Sequence, residues 1–186
     1  MATEIELKAH VGDCETLKTL LFTKADYSGS FEKEDVYWAS SEPHAPVSRI
    51  RVRREECRNA EGSLKTVTFA THKIKEVRDG IEVNDELEFA VTPEAEFERL
   101  LTRMGYKPGF CKQKRGWAFS RNGITAELVE VANLGWFIEL EILETGGGEK
   151  AVADGKKKLL GFLSELGIDR QAIESRYYSE MLREHS

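Results

Sequence analysis

Several stretches of the chain alternate strictly between charged and apolar residues, the period of two that sends one kind to each face of a β-strand. Glu4-Ile5-Glu6-Leu7-Lys8 sets two acids and a lysine against Ile5 and Leu7. Arg49-Ile50-Arg51-Val52-Arg53 repeats the pattern with arginines. Glu82, Asn84, Glu86 and Glu88 alternate with Val83, Asp85, Leu87 and Phe89, a run broken only by Asp85. Glu139 and Glu141 alternate with Ile138, Leu140 and Ile142, and Lys112 and Lys114 oppose Arg115, Trp117 and Phe119. Any one of these reads as a strand with a solvated polar face. Together they do not, because whole strands carry one sign, and like charges directly opposite one another destabilise a sheet. The pattern predicts a sheet curled with its charged faces inward, where glutamates hold divalent cations and Lys and Arg hold an anionic ligand. The apolar faces then point outward and need helices to cover them.

The sequence supplies such helices. Asp13 caps a candidate over residues 13–22, with Leu17, Leu20 and Leu21 on one face. Thr92-Pro93-Glu94 combines a capping hydroxyl, a proline at the first helical position and acid in the first turn. Phe97, Leu100, Leu101 and Met104 follow at helical spacing, and Gly105 stands where a C-terminal cap belongs. A third stripe, Val152, Leu159, Leu160, Leu163 and Leu166, predicts a helix over 151–166 that stops at Gly167. Asp169 is a candidate cap for a last helix running to about Leu182. The segment from Ser40 to Val47, with Pro43 and Pro46, reads as irregular. Thr145-Gly146-Gly147-Gly148-Glu149 is a flexible link that lacks the spacing of a phosphate-binding loop. Strands then a helix, strands then helices, define an α+β protein with one domain over residues 1–186.

Composition narrows the picture. The 186 residues are 40% hydrophobic and 32% charged, which excludes a disordered or collagen-like polypeptide. No apolar run approaches the roughly 20 residues that span a bilayer, so no membrane partner is expected. Met1-Ala2-Thr3-Glu4 carries an acid where a secretory leader needs positive charge, and the three cysteines show no paired spacing. Both point to reduced thiols and a cytoplasmic location. With 33 acids against 27 bases the net charge is −6, which argues against nucleic acid as a partner. His10, His44, His72 and His185 form no ligand pair, and Asp35 and Tyr37 read as a polar anchor and a packed aromatic. Trp38, Trp117 and Trp136 read as core, with Trp117 also a candidate for the mouth of a base-binding site.

The ordered set of motifs resembles the CYTH family, which takes in class IV adenylyl cyclases, thiamine triphosphatases and inorganic triphosphatases. Its opening ExExK stands as Glu4-Ile5-Glu6-Leu7-Lys8, its D-x-Y-aromatic as Asp35-Val36-Tyr37-Trp38 and its R-x-R as Arg49-Ile50-Arg51. Its T-x-K stands as Thr71-His72-Lys73 and its central E-x-E as Glu86-Leu87-Glu88. The late LG-x-F-x-E-x-E is complete from Leu134 to Glu141, and Ser175 to Leu182 resembles the SYxELL ending with an insertion. Four features depart, the first being the basic K-x-R strand, only approximated by Lys112-Gln113-Lys114-Arg115. Asn84 stands where relatives carry an arginine, Val129 replaces an aspartate with Glu127 and Glu130 nearby, and no His-Phe pair precedes Glu4. The last tilts the expectation toward a hydrolase and away from a cyclase.

The resemblance implies a closed antiparallel tunnel that binds triphosphate with Mg²⁺ or Mn²⁺. A triphosphate carries about four negative charges, so fixed cations must both hold it and compensate the leaving oxygen. Lys8, Arg49, Arg51, Arg53 and Lys73 are the candidate phosphate donors. Lys75 or Arg78 are candidates to supply the positive charge that Asn84 does not, and Lys112, Lys114 and Arg115 come from the basic strand. Glu4, Glu6, Glu139 and Glu141 are the candidate metal ligands, with Glu86, Glu88 and Glu127 as further ones, because hard cations prefer carboxylate oxygen. Glu4, Glu6 and Lys8 are the catalytic candidates. The expected partner is a triphosphate-containing small molecule, and the protein a monomer or homodimer. Three activities remain open on the residues alone: hydrolysis of triphosphate, cyclisation of ATP to cyclic AMP and pyrophosphate, and binding without turnover.

Overall fold

The alternating segments form strands of a closed ring. A computed structural model describes residues 2–40, 49–78, 81–145 and 148–184, excluding the side chains of Ala2, Lys75, Arg78 and Thr145. The eight strands are β1 (Ala2–His10), β2 (Asp26–Ser40), β3 (Arg49–Asn59), β4 (Leu64–Arg78), β5 (Ile81–Ala90), β6 (Tyr106–Arg121), β7 (Ile124–Val131) and β8 (Gly135–Thr145). Their order around the barrel is β1-β5-β4-β3-β2-β6-β7-β8, all neighbours antiparallel, and β1 closes the ring by pairing with both β5 and β8. The expected irregular loop lies almost entirely within residues 41–48, outside the described residues.

The apolar strand faces do point outward. Ile5, Leu7 and Ala9 of β1, Leu128 of β7 and Ile138, Leu140 and Ile142 of β8 form the main core with two helices laid on the barrel. These are α1 (Cys14–Lys24), through Leu17 and Leu21, and α3 (Glu149–Glu165), through Val152, Leu159, Phe162 and Leu163. Each fully buried Leu or Phe contributes roughly 1.5–3 kcal/mol. The expected cap on α1 is present: the Asp13 carboxylate accepts from the Thr16 amide at 3.0 Å. Gly155 lets α3 sit directly on β1, since a Cβ there would stand 2.5 Å from Cδ1 of Ile5. A third helix, α2 (Glu94–Arg103), covers Trp38 and Val52 with Leu101, and Pro93 precedes it without a side-chain cap from Thr92.

The C-terminal segment departs from expectation. Asp169 caps only a 3₁₀ turn, Arg170–Ala172, and the last helix, α4 (Tyr178–Glu184), begins later. The reason is tertiary pairing. Ile173 bridges to Ala9, and the Glu174 amide donates to the Lys8 carbonyl at 2.9 Å, so this stretch is held extended against β1. Released from it, α4 turns into one end of the barrel, where Tyr178 and Met181 pack on Phe31, Val129, Val131 and Phe137. Among the described residues no helix is long and apolar enough to cross a membrane.

Candidate functional site

Strand parity brings most of the charged candidates to the barrel interior, in two overlapping cavities of about 320 Å³ each. Glu6, Arg51, Lys73, Lys114 and Glu139 line both, so the two are halves of one tunnel. One half also holds Glu4, Lys33, Arg53, Glu86, Glu88, Glu127 and Glu141. The other adds Lys8, Tyr37, Arg49, Glu82 and Lys112, together with Tyr177, Tyr178 and Ser179 of the last segment.

Many of the acids and bases inside are paired with one another. From β4, the Lys73 ammonium meets Glu4, Glu6 at 3.3 Å and Glu86 at 3.2 Å. Arg51 Nη2 donates to Thr71 Oγ1 and Glu88, both at 3.0 Å, and lies 3.6 Å from Glu86. Lys114 donates to both oxygens of Glu139 at 2.6 and 2.7 Å, and Lys8 to Glu82 at 3.1 Å. Arg53 grips Asp35 through Nε and Nη2, and Lys112 stands 3.2 Å from the same carboxylate. Tyr178 closes this group, with the ammonium groups of Lys8, Lys112 and Lys114 between 5.0 and 5.5 Å from its ring centre.

The fields differ along the tunnel. Burial, aggravated by Glu6, pushes the Glu4 carboxyl up to about 7, and burial with Glu4 and Glu6 pushes Glu141 up to about 8. Burial opposes ionisation of Glu139 too, yet Lys114 outweighs it and holds the group down to about 2. At Asp35 burial is likewise overcome, by Arg53 and Lys112, which keep the carboxyl well below its usual range. Around Glu4 and Glu141 several carboxylates share the one ammonium of Lys73, while the facing wall carries Lys33, Arg51, Arg53, Lys112 and Lys114.

Some candidates sit elsewhere. Arg115 projects from the outer face of β6, exposed, and donates to Glu130, because it is one residue out of phase with Lys112 and Lys114. The side chains of Lys75 and Arg78 lie outside the described residues. Trp117 is not at a mouth: it stacks on Trp136 at 5.5 Å on the barrel exterior. Asn84 is fully buried, and its amide donates to Glu4 at 3.1 Å and Glu82 at 3.4 Å. Val129 belongs to the apolar plug around α4, while Glu127, two residues earlier on the same face, pairs with Lys33 at 2.6 Å. Lys33 is buried inside the barrel, although no sequence signal singles it out. Its strand reads Glu32-Lys33-Glu34-Asp35, charged on both faces, so no alternation marks it.

A metal or cofactor can be judged by the donors present. Among the described residues no group of three or more carboxylate, imidazole or thiol side chains is assembled to hold a metal ion. Glu4, Glu6 and Glu86 instead converge on an ammonium. Their chemistry suits a hard divalent cation, since all three offer carboxylate oxygen.

The structure is a closed antiparallel barrel whose interior is lined by facing acidic and basic walls. The CYTH domain profile matches residues 2–178, and the chain belongs to that family, which includes triphosphatases and adenylyl cyclases. The fold is also that of PH1819 from Pyrococcus horikoshii OT3, with 24% identity, a TM-score of 0.83 and coverage of 98% of this chain and 99% of that one. PH1012 from the same organism gives 29% identity and a TM-score of 0.73 over 95% and 98% of the two chains. HpAC1 from Hippeastrum, a proposed adenylyl cyclase with a dominant triphosphatase activity, gives 17% identity and a TM-score of 0.67 over 100% and 97%. Comparison with curated proteins gives no match.

Proposed function

We propose that the protein hydrolyses a triphosphate inside the tunnel with the help of Mg²⁺ or Mn²⁺. The observation that carries this reading is the two-sided interior: Glu4, Glu6 and Glu141 on β1 and β8 line the same cavity as Arg51, Lys33 and Lys114 on β3, β2 and β6. A neutral or singly charged ligand could not replace the ion pairs it would have to break there. A triphosphate with a cation satisfies both walls.

Arg51, Lys73 and Lys114, common to both halves, bind phosphate oxygens along the tunnel axis, and Lys8, Arg49 and Lys112 extend the cradle. Arg53 is spent on Asp35, so its part is to hold the wall in register. Glu4, Glu6, Glu86 and Glu141 would hold the cation, which supplies charge neutralisation of the phosphates and of the departing oxygen. Water attacks the terminal phosphorus, the bond to the bridging oxygen breaks, and orthophosphate and the shortened phosphate leave. The attacking water's proton passes to a carboxylate of the acidic wall that the cation does not engage.

The test is incubation of purified protein with tripolyphosphate and with ATP, under Mg²⁺ and under Mn²⁺. Orthophosphate release supports the proposal. Cyclic AMP with pyrophosphate would replace it with a cyclase, and tight binding without turnover with a binding protein.

A further inference from the structure

Lys73 occupies an unusual position. Three carboxylates from two strands, Glu4 and Glu6 of β1 and Glu86 of β5, close on its single ammonium. Lys73 faces Glu86 directly across the β4–β5 ladder, and it lines both halves of the tunnel. The oxygens that suit a divalent cation are thus already engaged by a monovalent one that is tethered to the wall.

We propose that Lys73 is a resident counter-cation whose release couples cation binding to triphosphate binding, an inference that rests on the triphosphate reading above. A divalent cation arriving alone must expel the ammonium from Glu4, Glu6 and Glu86 and leave it beside the new charge without a partner. A triphosphate arriving alone must draw Lys73 off three carboxylates that then repel one another. Arriving together, the two exchange partners: the cation takes the carboxylates and phosphate oxygens take Lys73. A lysine suits this exchange, because its point charge on a flexible stem reorients without the fixed geometry a guanidinium requires. Coupling of this kind is reciprocal, so each ligand raises the affinity for the other by the same factor.

The experiment measures Mn²⁺ binding by electron paramagnetic resonance without any phosphate present, for wild type, Lys73→Met and Lys73→Arg. Lys73→Met should bind Mn²⁺ alone at least about tenfold more tightly than wild type, within the usual range of coupling between sites. Lys73→Arg, which keeps the charge, should stay as weak as wild type. If Lys73→Met fails to fold, Lys73→Gln, which retains hydrogen bonding, carries the same expectation. In parallel, wild type is melted with Mn²⁺ and tripolyphosphate together. A thermal shift in wild type with no tightening of Mn²⁺ in the neutral variants overturns the exchange and leaves the triphosphate reading intact. No shift in wild type overturns both.

Discussion

Asp35 is completely buried and accepts from Nε of Arg53 at 2.6 Å and from Nη2 at 3.0 Å, a bidentate pair inside the barrel wall. Lys112 approaches the same carboxylate at 3.2 Å. Two cations thus depend on one anion that water does not reach. Asp35→Asn should therefore destabilise the fold by about 3–5 kcal/mol, the usual cost of stranding a buried charge. Urea denaturation followed by circular dichroism reads this, and a variant within about 1 kcal/mol of wild type would mean that Arg53 and Lys112 find solvent in the tunnel.

Glu141→Gln and Arg51→Ala separate the two walls. The first removes an ionisable oxygen donor from the proposed cation side, so turnover should fall at least about a hundredfold and recover in part at high metal. The second removes a phosphate donor, so KM should rise and kcat fall without a new demand for metal. Steady-state kinetics at several Mg²⁺ concentrations decide, and unchanged metal dependence in Glu141→Gln would sink its assignment. Glu139→Gln is a poorer probe, because it also strips Lys114 of its partner.

Ligand should stabilise the native barrel. A ligand that binds only the folded state adds RT ln(1 + [L]/Kd), roughly 2.7 kcal/mol at a hundredfold excess over Kd. Tripolyphosphate with Mg²⁺ at millimolar concentration should raise Tm by several degrees in differential scanning fluorimetry. The absence of any shift with any triphosphate would count against the tunnel as a binding site.

Acid should loosen the C-terminal segment. Hydrogen bonds from Arg176, with a lesser one from His10, hold the Glu174 carboxyl down to about 2 from an ordinary 4.5. A depressed carboxylate contributes stability that is complete above the unfolded value and lost as pH falls through the folded one. Wild type should therefore lose protection of α4 between about pH 4.5 and 2, and Glu174→Gln should lack that phase. Amide exchange of residues 175–184 across this window checks it. An identical pH profile in both proteins would assign the acid loss elsewhere.

Much of this is legible in the sequence, for one reason. Where a strand carries a single charge sign on one face and aliphatic residues on the other, as at Arg49–Arg53, parity decides both the core and the tunnel. β2 resists that reading because Glu32 and Glu34 face outward while Lys33 and Asp35 face inward, so charge alone cannot orient it. The Asp169 signal is a true cap, but Ile173 and Glu174 bond to β1 before a helix can continue. Which acid meets which base is not legible at all. Lys73 meets Glu4 and Glu6 only because β1 pairs with the far edge of β5, and no local pattern spans that separation.

Ring closure also sets the order in which the polypeptide can finish folding. β1, near the start of the sequence, sits between β5 and β8, and its register with β8 runs from Ala2–Thr145 to His10–Phe137. During synthesis the strands from β2 to β7 can pair in sequence-neighbouring hairpins or across β2–β6, whereas β1 cannot take its second partner until residue 145 has emerged. Such distant pairing carries a large loop-closure cost and slows folding. Until it forms, β1 and β8 are bare sheet edges, open to pairing with other molecules. The N-terminal strand is thus the stave that turns an adhesive open sheet into a self-contained barrel.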